Sequence, residues 1–143
     1  HGVASPSGTS GPEARRARFD TLAALARRRG HAVVLAGTQD WGADGRYGAL
    51  ERLGPGLRLA TAHDRAEIEA ALAARADGIF LSPVFPTASH PGASTLGSAG
   101  FHALARLSSV PVIALGGMTA ARARDLGWPR WGAIDGLAST KAA

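Results

Sequence analysis

The side chains with chemical capacity collect at the end of one apolar run. Asp77-Gly78-Ile79-Phe80-Leu81-Ser82-Pro83-Val84-Phe85-Pro86-Thr87-Ala88-Ser89 leads into His90-Pro91-Gly92. Ile79, Phe80 and Leu81 in succession suit a strand buried on both faces. Pro83 and Pro86 lack the amide donor that a central ladder needs, so the chain must leave the sheet at Ser82-Pro83. It then presents two hydroxyls, Thr87 and Ser89, an imidazole at His90 and a flexible Gly92. Hydroxyls and loop amides can hold an anion. A strand that delivers such groups at its C-terminal end is the usual layout of an α/β active site. Plain loop-turn chemistry would employ the same residue types.

Two further places carry chemistry. Val110-Pro111-Val112-Ile113-Ala114-Leu115 reads as a strand that ends in the glycine pair Gly116-Gly117. A strand-to-helix turn would use the same glycine pair. His63-Asp64 stands before a helix, with Asp64 as N-cap and Glu67 three residues on in a capping-box pattern. A histidine here also fits a simple hydrogen-bonding role at the helix start. His31 and His102 fall at helix ends or faces and receive no role, and no histidine pair has a zinc-site spacing.

The elements that must position these groups follow from the pattern. Residues 1–11 are Gly/Ser/Pro-rich and read as a flexible tail or an expression scar. A helix is expected from Pro12, with Phe19, Leu22, Ala23 and Ala26 at helical spacing and Gly30 as its stop. Strands are expected at residues 32–36, 46–49, 57–61, 77–82, 110–115 and 131–135, and a helical turn at 50–53. Helices are expected after Asp64, over 98–107, and from Thr119 to about Leu126, with residues 139–143 frayed. Gly42-Ala43-Asp44-Gly45 and Arg75-Ala76-Asp77-Gly78 form a near-repeat one βα unit apart, each with glycine expected at a left-handed turn. Strands alternating with helices argue for α/β architecture with a parallel sheet. Their spacing fits barrel-like units better than a dinucleotide-binding domain, and no G-x-G-x-x-G or P-loop is present.

Composition narrows the class. The 143 residues suffice for one domain with a core but are short for a complete (β/α)₈ barrel. A hydrophobic fraction of 45% without a long apolar run predicts a globular protein with no membrane span. Absence of cysteine excludes disulfides and thiolate metal sites and, with no signal-like start, fits a cytoplasmic protein. Sixteen basic against 11 acidic residues give +5, and every cation except Lys141 is arginine. That excess could draw phosphorylated small molecules. Arg15, Arg16, Arg18, Arg27, Arg28 and Arg29 crowd the first helix, a pattern read as a solvated face rather than a nucleic-acid surface.

From Asp77 onward the chain resembles the thiamine phosphate synthase / thiazole tautomerase superfamily. The carrying motifs are the Val84-Phe85-Pro86-Thr87-Ala88-Ser89 element, then Pro111-Val112-Ile113-Ala114-Leu115-Gly116-Gly117, with Thr61-Ala62-His63-Asp64 before them. The resemblance implies a TIM barrel of which these six strands would be the third to eighth, the first two being absent. An open barrel exposes two edges, so either the sequence is a truncated piece, a partner such as a second copy in a homo-oligomer covers the edges, or the domain is an open remnant. The family's synthases join a pyrimidine diphosphate to a thiazole phosphate with loss of pyrophosphate, using Mg²⁺.

By that resemblance, Thr87, Ser89, His90, Gly116, Gly117, Ile134 and Asp135 would bind the substrate phosphate. A phosphorylated thiazole or related small molecule is then the expected partner. Several positions depart from the family. His90 replaces a lysine that contacts pyrophosphate, Ala36-Gly37 replace an Asn-Asp pair, and Asp135 adds negative charge where a dianion should sit. The metal aspartate has no clear counterpart, Glu51 being nearest, so no metal ligand is assigned. The synthase reaction would then lack groups it needs. Thiazole tautomerisation, in which the family places a catalytic histidine at the position of His63, is an alternative that needs no metal. A non-catalytic phosphate-binding or accessory protein is another.

Overall fold

The computed structural model describes residues 11–36, 39–88 and 91–133. Pro12 at the helix start, Glu13 in the first turn and Arg27 and Arg28 in the last favour both ends of α1 (Pro12–Arg28). Gly30, at φ 79°, closes it, with the amides of Gly30 and His31 donating to the carbonyls of Arg27 and Ala26. There follow β1 (Val34–Leu35), β2 (Gly45–Gly48), a 3₁₀ turn (Leu50–Arg52) and β3 (Leu57–Ala62). The chain continues through α2 (Arg65–Ala73), β4 (Gly78–Leu81), α3 (Gly97–Ala105), β5 (Val112–Ala114) and α4 (Ala120–Leu126). No helix among the described residues is long and apolar enough to cross a membrane.

The five strands form one parallel sheet in the order β1-β2-β3-β4-β5. Sequential winding of this kind is the barrel-type arrangement expected from the alternating pattern. Among the described residues no ladder joins the far side back to β1. The expected sixth strand is represented by one parallel bridge, Ala114 to Trp131, while residues 134 and 135 lie outside the described residues. Residues 1–10 and 139–143, expected as a tail and a frayed end, also lie outside them.

Alternation along the strands sets the core. Ala60 and Ala62, Ile79 and Leu81, and Val112 and Ala114 are buried, in one cluster with Ile68, Ala71, Phe101, Ala105, Ala123 and Leu126 from the helices. Small alanines on three strand positions let the helices approach closely. Phe101 fills the largest share of that space, at about 1.5–3 kcal/mol for full burial of such a side chain. It meets Trp128 edge-on at 5.1 Å, and Trp128 Nε1 donates to the Val112 carbonyl at 2.7 Å. His102 is structural, its Nε2 lying 2.7 Å from the Leu126 carbonyl. On the other sheet face Tyr47, Leu59, Thr61, Phe80 and Ile113 are half-buried, and the Tyr47 and Phe80 rings stand 5.4 Å apart.

Two expectations are corrected. The strand expected at 110–115 is shorter because Ser108 Oγ accepts from the Val110 amide and donates to the Val110 carbonyl, holding Val110 in a turn. In the near-repeat, Gly42 is left-handed as expected, but in the second copy the left-handed residue is Arg75, not Gly78. Arg75 occupies the position that follows the helix cap, where the amides of Arg75 and Ala76 donate to Leu72 and Ala71. Gly45 is needed for another reason, its close approach to the backbone of Leu57 on the neighbouring strand, and Gly78 packs tightly on the Leu59 side chain. The repeat's aspartates also match: Asp44 Oδ2 accepts from Val33 and Asp77 Oδ2 from Arg58, each closing the start of a strand.

Candidate functional site

The register Ala62–Leu81–Ala114 across β3, β4 and β5 brings three strand ends to a common level. His63, the loop 82–88 and Gly116-Gly117 therefore leave the sheet side by side at its C-terminal rim, where parallel sheets carry their chemistry.

The loops after β4 and β5 are tied together by backbone. The amides of Val84 and Phe85 donate to the carbonyls of Leu115 and Gly116 at 3.0 and 3.1 Å, and the Ser82 amide donates to Ala62 at 3.1 Å. Pro83 and Val84 in turn accept from Leu96 and Gly97, which fixes the start of α3 against the same loop. The Ser82-Pro83 peptide is cis. Thr87 is half-buried at the end of this loop.

Gly116 and Gly117 adopt φ of 101° and 64°. An added Cβ at Gly116 would stand 2.7 Å from Pro83 Cα, and at Gly117 it would overlap the Pro86 carbonyl oxygen. Glycine is thus required twice over, by conformation and by space. Among the described residues neither Gly116 nor Gly117 donates its amide to any acceptor. Two adjacent N–H groups at a strand end, beside a hydroxyl-bearing loop, are donors of the kind that suit an anion.

Arg122 joins the two loops through its side chain. Its Nη1 donates to the Gly117 carbonyl at 2.6 Å and its Cζ lies 5.3 Å from the Phe85 ring centre. Sequence reasoning missed this residue. Its signal was spacing: Thr119 caps α4, accepting from the Arg122 amide at 3.1 Å, so Arg122 stands in the first turn, within reach of the preceding glycines.

His63 is exposed at the end of β3. Glu67 Oε1 accepts from the His63 amide at 2.8 Å and lies 3.0 Å from the imidazole Nδ1. Asp64 Oδ1 accepts from the Glu67 amide at 2.9 Å, so the expected cap is present. A carboxylate can only accept, so Nδ1 is the donor in this contact. Glu67 was foreseen as a capping residue; its hold on the ring follows from the i,i+4 spacing of a helix entrance.

The remaining assigned residues divide plainly. Ser89, His90, Ile134 and Asp135, with Gly37, lie outside the described residues. Ala36 is exposed just after β1, and Glu51 is exposed in the 3₁₀ turn. Asp44 is committed to the Val33 amide and to Arg27 at 3.5 Å. Among the described residues no three His, Asp or Glu side chains gather closely enough to hold a metal ion.

Comparison with known proteins places this geometry. A solved structure described as thiamine phosphate pyrophosphorylase from Pyrococcus furiosus shares the fold, with a TM-score of 0.69 at 23% identity over 84% of this chain. The chain spans 65% of that protein's length. No curated protein matches. Residues 47–133, which include the end of β2, all of β3 to β5 and the loops after β4 and β5, match the family model of thiamine monophosphate synthase. More than half of the chain is covered by that match, and the protein belongs to the thiamine monophosphate synthase family.

Proposed function

We propose that the loops after β4 and β5 hold the phosphate of a thiazole phosphate, and that this chain supplies that half of a thiamine phosphate synthase-type site. One observation carries the reading: the paired amides of Gly116 and Gly117 donate to no described residue and stand against the loop of Thr87. Charge-assisted bonds from such amides are stronger than neutral ones, at about 1.5–3 kcal/mol each. Thr87 would add a hydroxyl, and Ser89 and His90 continue the same loop in sequence.

Joining the thiazole to a pyrimidine diphosphate expels pyrophosphate, and several developing negative charges must then be neutralised. Mg²⁺, bound by hard oxygen donors, would supply much of that neutralisation in the family's synthases. The described residues do not offer such a donor set: Ala36 has no oxygen in its side chain, and Asp44 is occupied by backbone and arginine. The part this chain performs is therefore binding and orientation of the phosphorylated thiazole. Calorimetric titration with thiazole phosphate, with and without Mg²⁺, tests it, alongside an assay for thiamine phosphate formation. Metal-independent binding without product formation is expected. Binding that requires Mg²⁺, or its absence under both conditions, would contradict the reading.

The His63–Glu67 pair supports a second activity at the same rim. With Nδ1 engaged by Glu67, Nε2 would accept a proton from a thiazole tautomer and return it to another ring atom. Substituting His63→Ala is expected to lower tautomer turnover by about a hundredfold or more while leaving thiazole phosphate affinity unchanged. Equal turnover in the variant would remove His63 from the chemistry.

A further inference from the structure

Arg122 carries a charge and a geometry that the loops themselves lack. A helical side chain leans toward the N-terminus of its own helix. From the first turn of α4 the guanidinium accordingly reaches back over the glycine loop, onto the Gly117 carbonyl and across the Phe85 ring. It touches the β4 loop through the ring and the β5 loop through the carbonyl. An added Cβ at Gly117 would lie 3.1 Å from Arg122 Nη1, so the cation sits directly on that residue. No described carboxylate pairs with it: the ion pairs among the described residues involve Arg16, Arg27, His63 and Arg65. Guanidinium has five donors in a planar fork, and the Gly117 carbonyl occupies one of its nitrogens.

We propose that Arg122 is the positioning residue and the counter-charge of the phosphate site, locking the β4 and β5 loops together and selecting phosphorylated over unphosphorylated ligands. The inference rests on the phosphate-binding reading above and names the cation that reading leaves out. The cation–π contact with Phe85 holds the guanidinium over the β4 loop. The bond to Gly117 fixes its position, and the donors not facing the carbonyl remain for ligand oxygens. Lysine would keep the charge without the fork. Glutamine would keep a donor without the charge.

The test compares affinities for thiazole phosphate and its dephosphorylated alcohol in wild type, Arg122→Lys and Arg122→Gln. Wild type should prefer the phosphate, Arg122→Gln should lose about tenfold or more of that preference, and Arg122→Lys should keep most of it. A merely structural arginine would weaken both ligands together and leave the preference intact; that result overturns the inference. An unchanged preference with unchanged affinities overturns it equally. Wild-type protein that binds neither ligand would refute the phosphate site itself, and the role of Arg122 with it. A second measurement needs no variant. The Arg122 side-chain N–H resonance should shift when thiazole phosphate is added and stay in place with the alcohol, whereas shifts of equal size would count against the assignment.

Discussion

Substituting Gly117→Ala is expected to reduce thiazole phosphate affinity by about a hundredfold or more, consistent with losing two charge-assisted bonds. Two causes act together. Gly117 is left-handed at φ 64°, which costs an L-residue about 1–2 kcal/mol. The new methyl would also overlap the Pro86 carbonyl and lie 3.0 Å from the Phe85 carbonyl. Both obstacles are backbone, so the β4 loop must move away from the β5 loop. That movement separates the amides from Thr87 and pulls Phe85 from beneath Arg122. Isothermal titration of the variant checks it. Affinity within threefold of wild type would show that the loop pair does not hold the ligand.

The largest expected loss of stability comes from the opposite end of the sheet. Gly45→Ala should destabilise the fold by about 3 kcal/mol or more, lowering Tm by roughly 10 °C. Gly45 pairs with Leu57 across β2 and β3, and an added Cβ would fall on the Leu57 carbonyl, with Leu57 Cβ at 2.5 Å. Its backbone is not in the left-handed region, so space alone forbids a side chain. Gly100→Ala is the internal control. There the methyl meets only Leu96 Cβ at 3.6 Å within α3, and removing glycine from a helix should stabilise by about 0.5–1 kcal/mol. Thermal unfolding of both variants reads the pair. A Gly45→Ala protein as stable as wild type would mean that β2 does not lie this close to β3.

Local chemistry made much of the fold legible. Asp64 and Thr119 cap the helices they precede, and Gly30 ends α1, because a cap depends on residues within one turn. The parallel sheet followed from alternation with helices. What escaped depended on distant partners. The glycines of the near-repeat were read as turn residues, yet Gly45 and Gly78 answer to neighbouring strands. Arg75 takes the left-handed position because the helix end imposes that conformation, whichever residue stands there. At the site, Thr87, Gly116 and Gly117 were visible as residue types at strand ends. Arg122 was not, because an arginine on an exposed helix turn looks like any solvated cation until the Phe85 ring and the Gly117 carbonyl are placed beneath it.

The central claim is that two backbone amides receive a phosphate, and amide chemical shifts report on that directly. Titrating ¹⁵N-labelled protein with thiazole phosphate should move the Gly116 and Gly117 resonances first and farthest, with Thr87 following. Saturating shifts confined to other parts of the sheet, with these two glycines unmoved, would contradict the account.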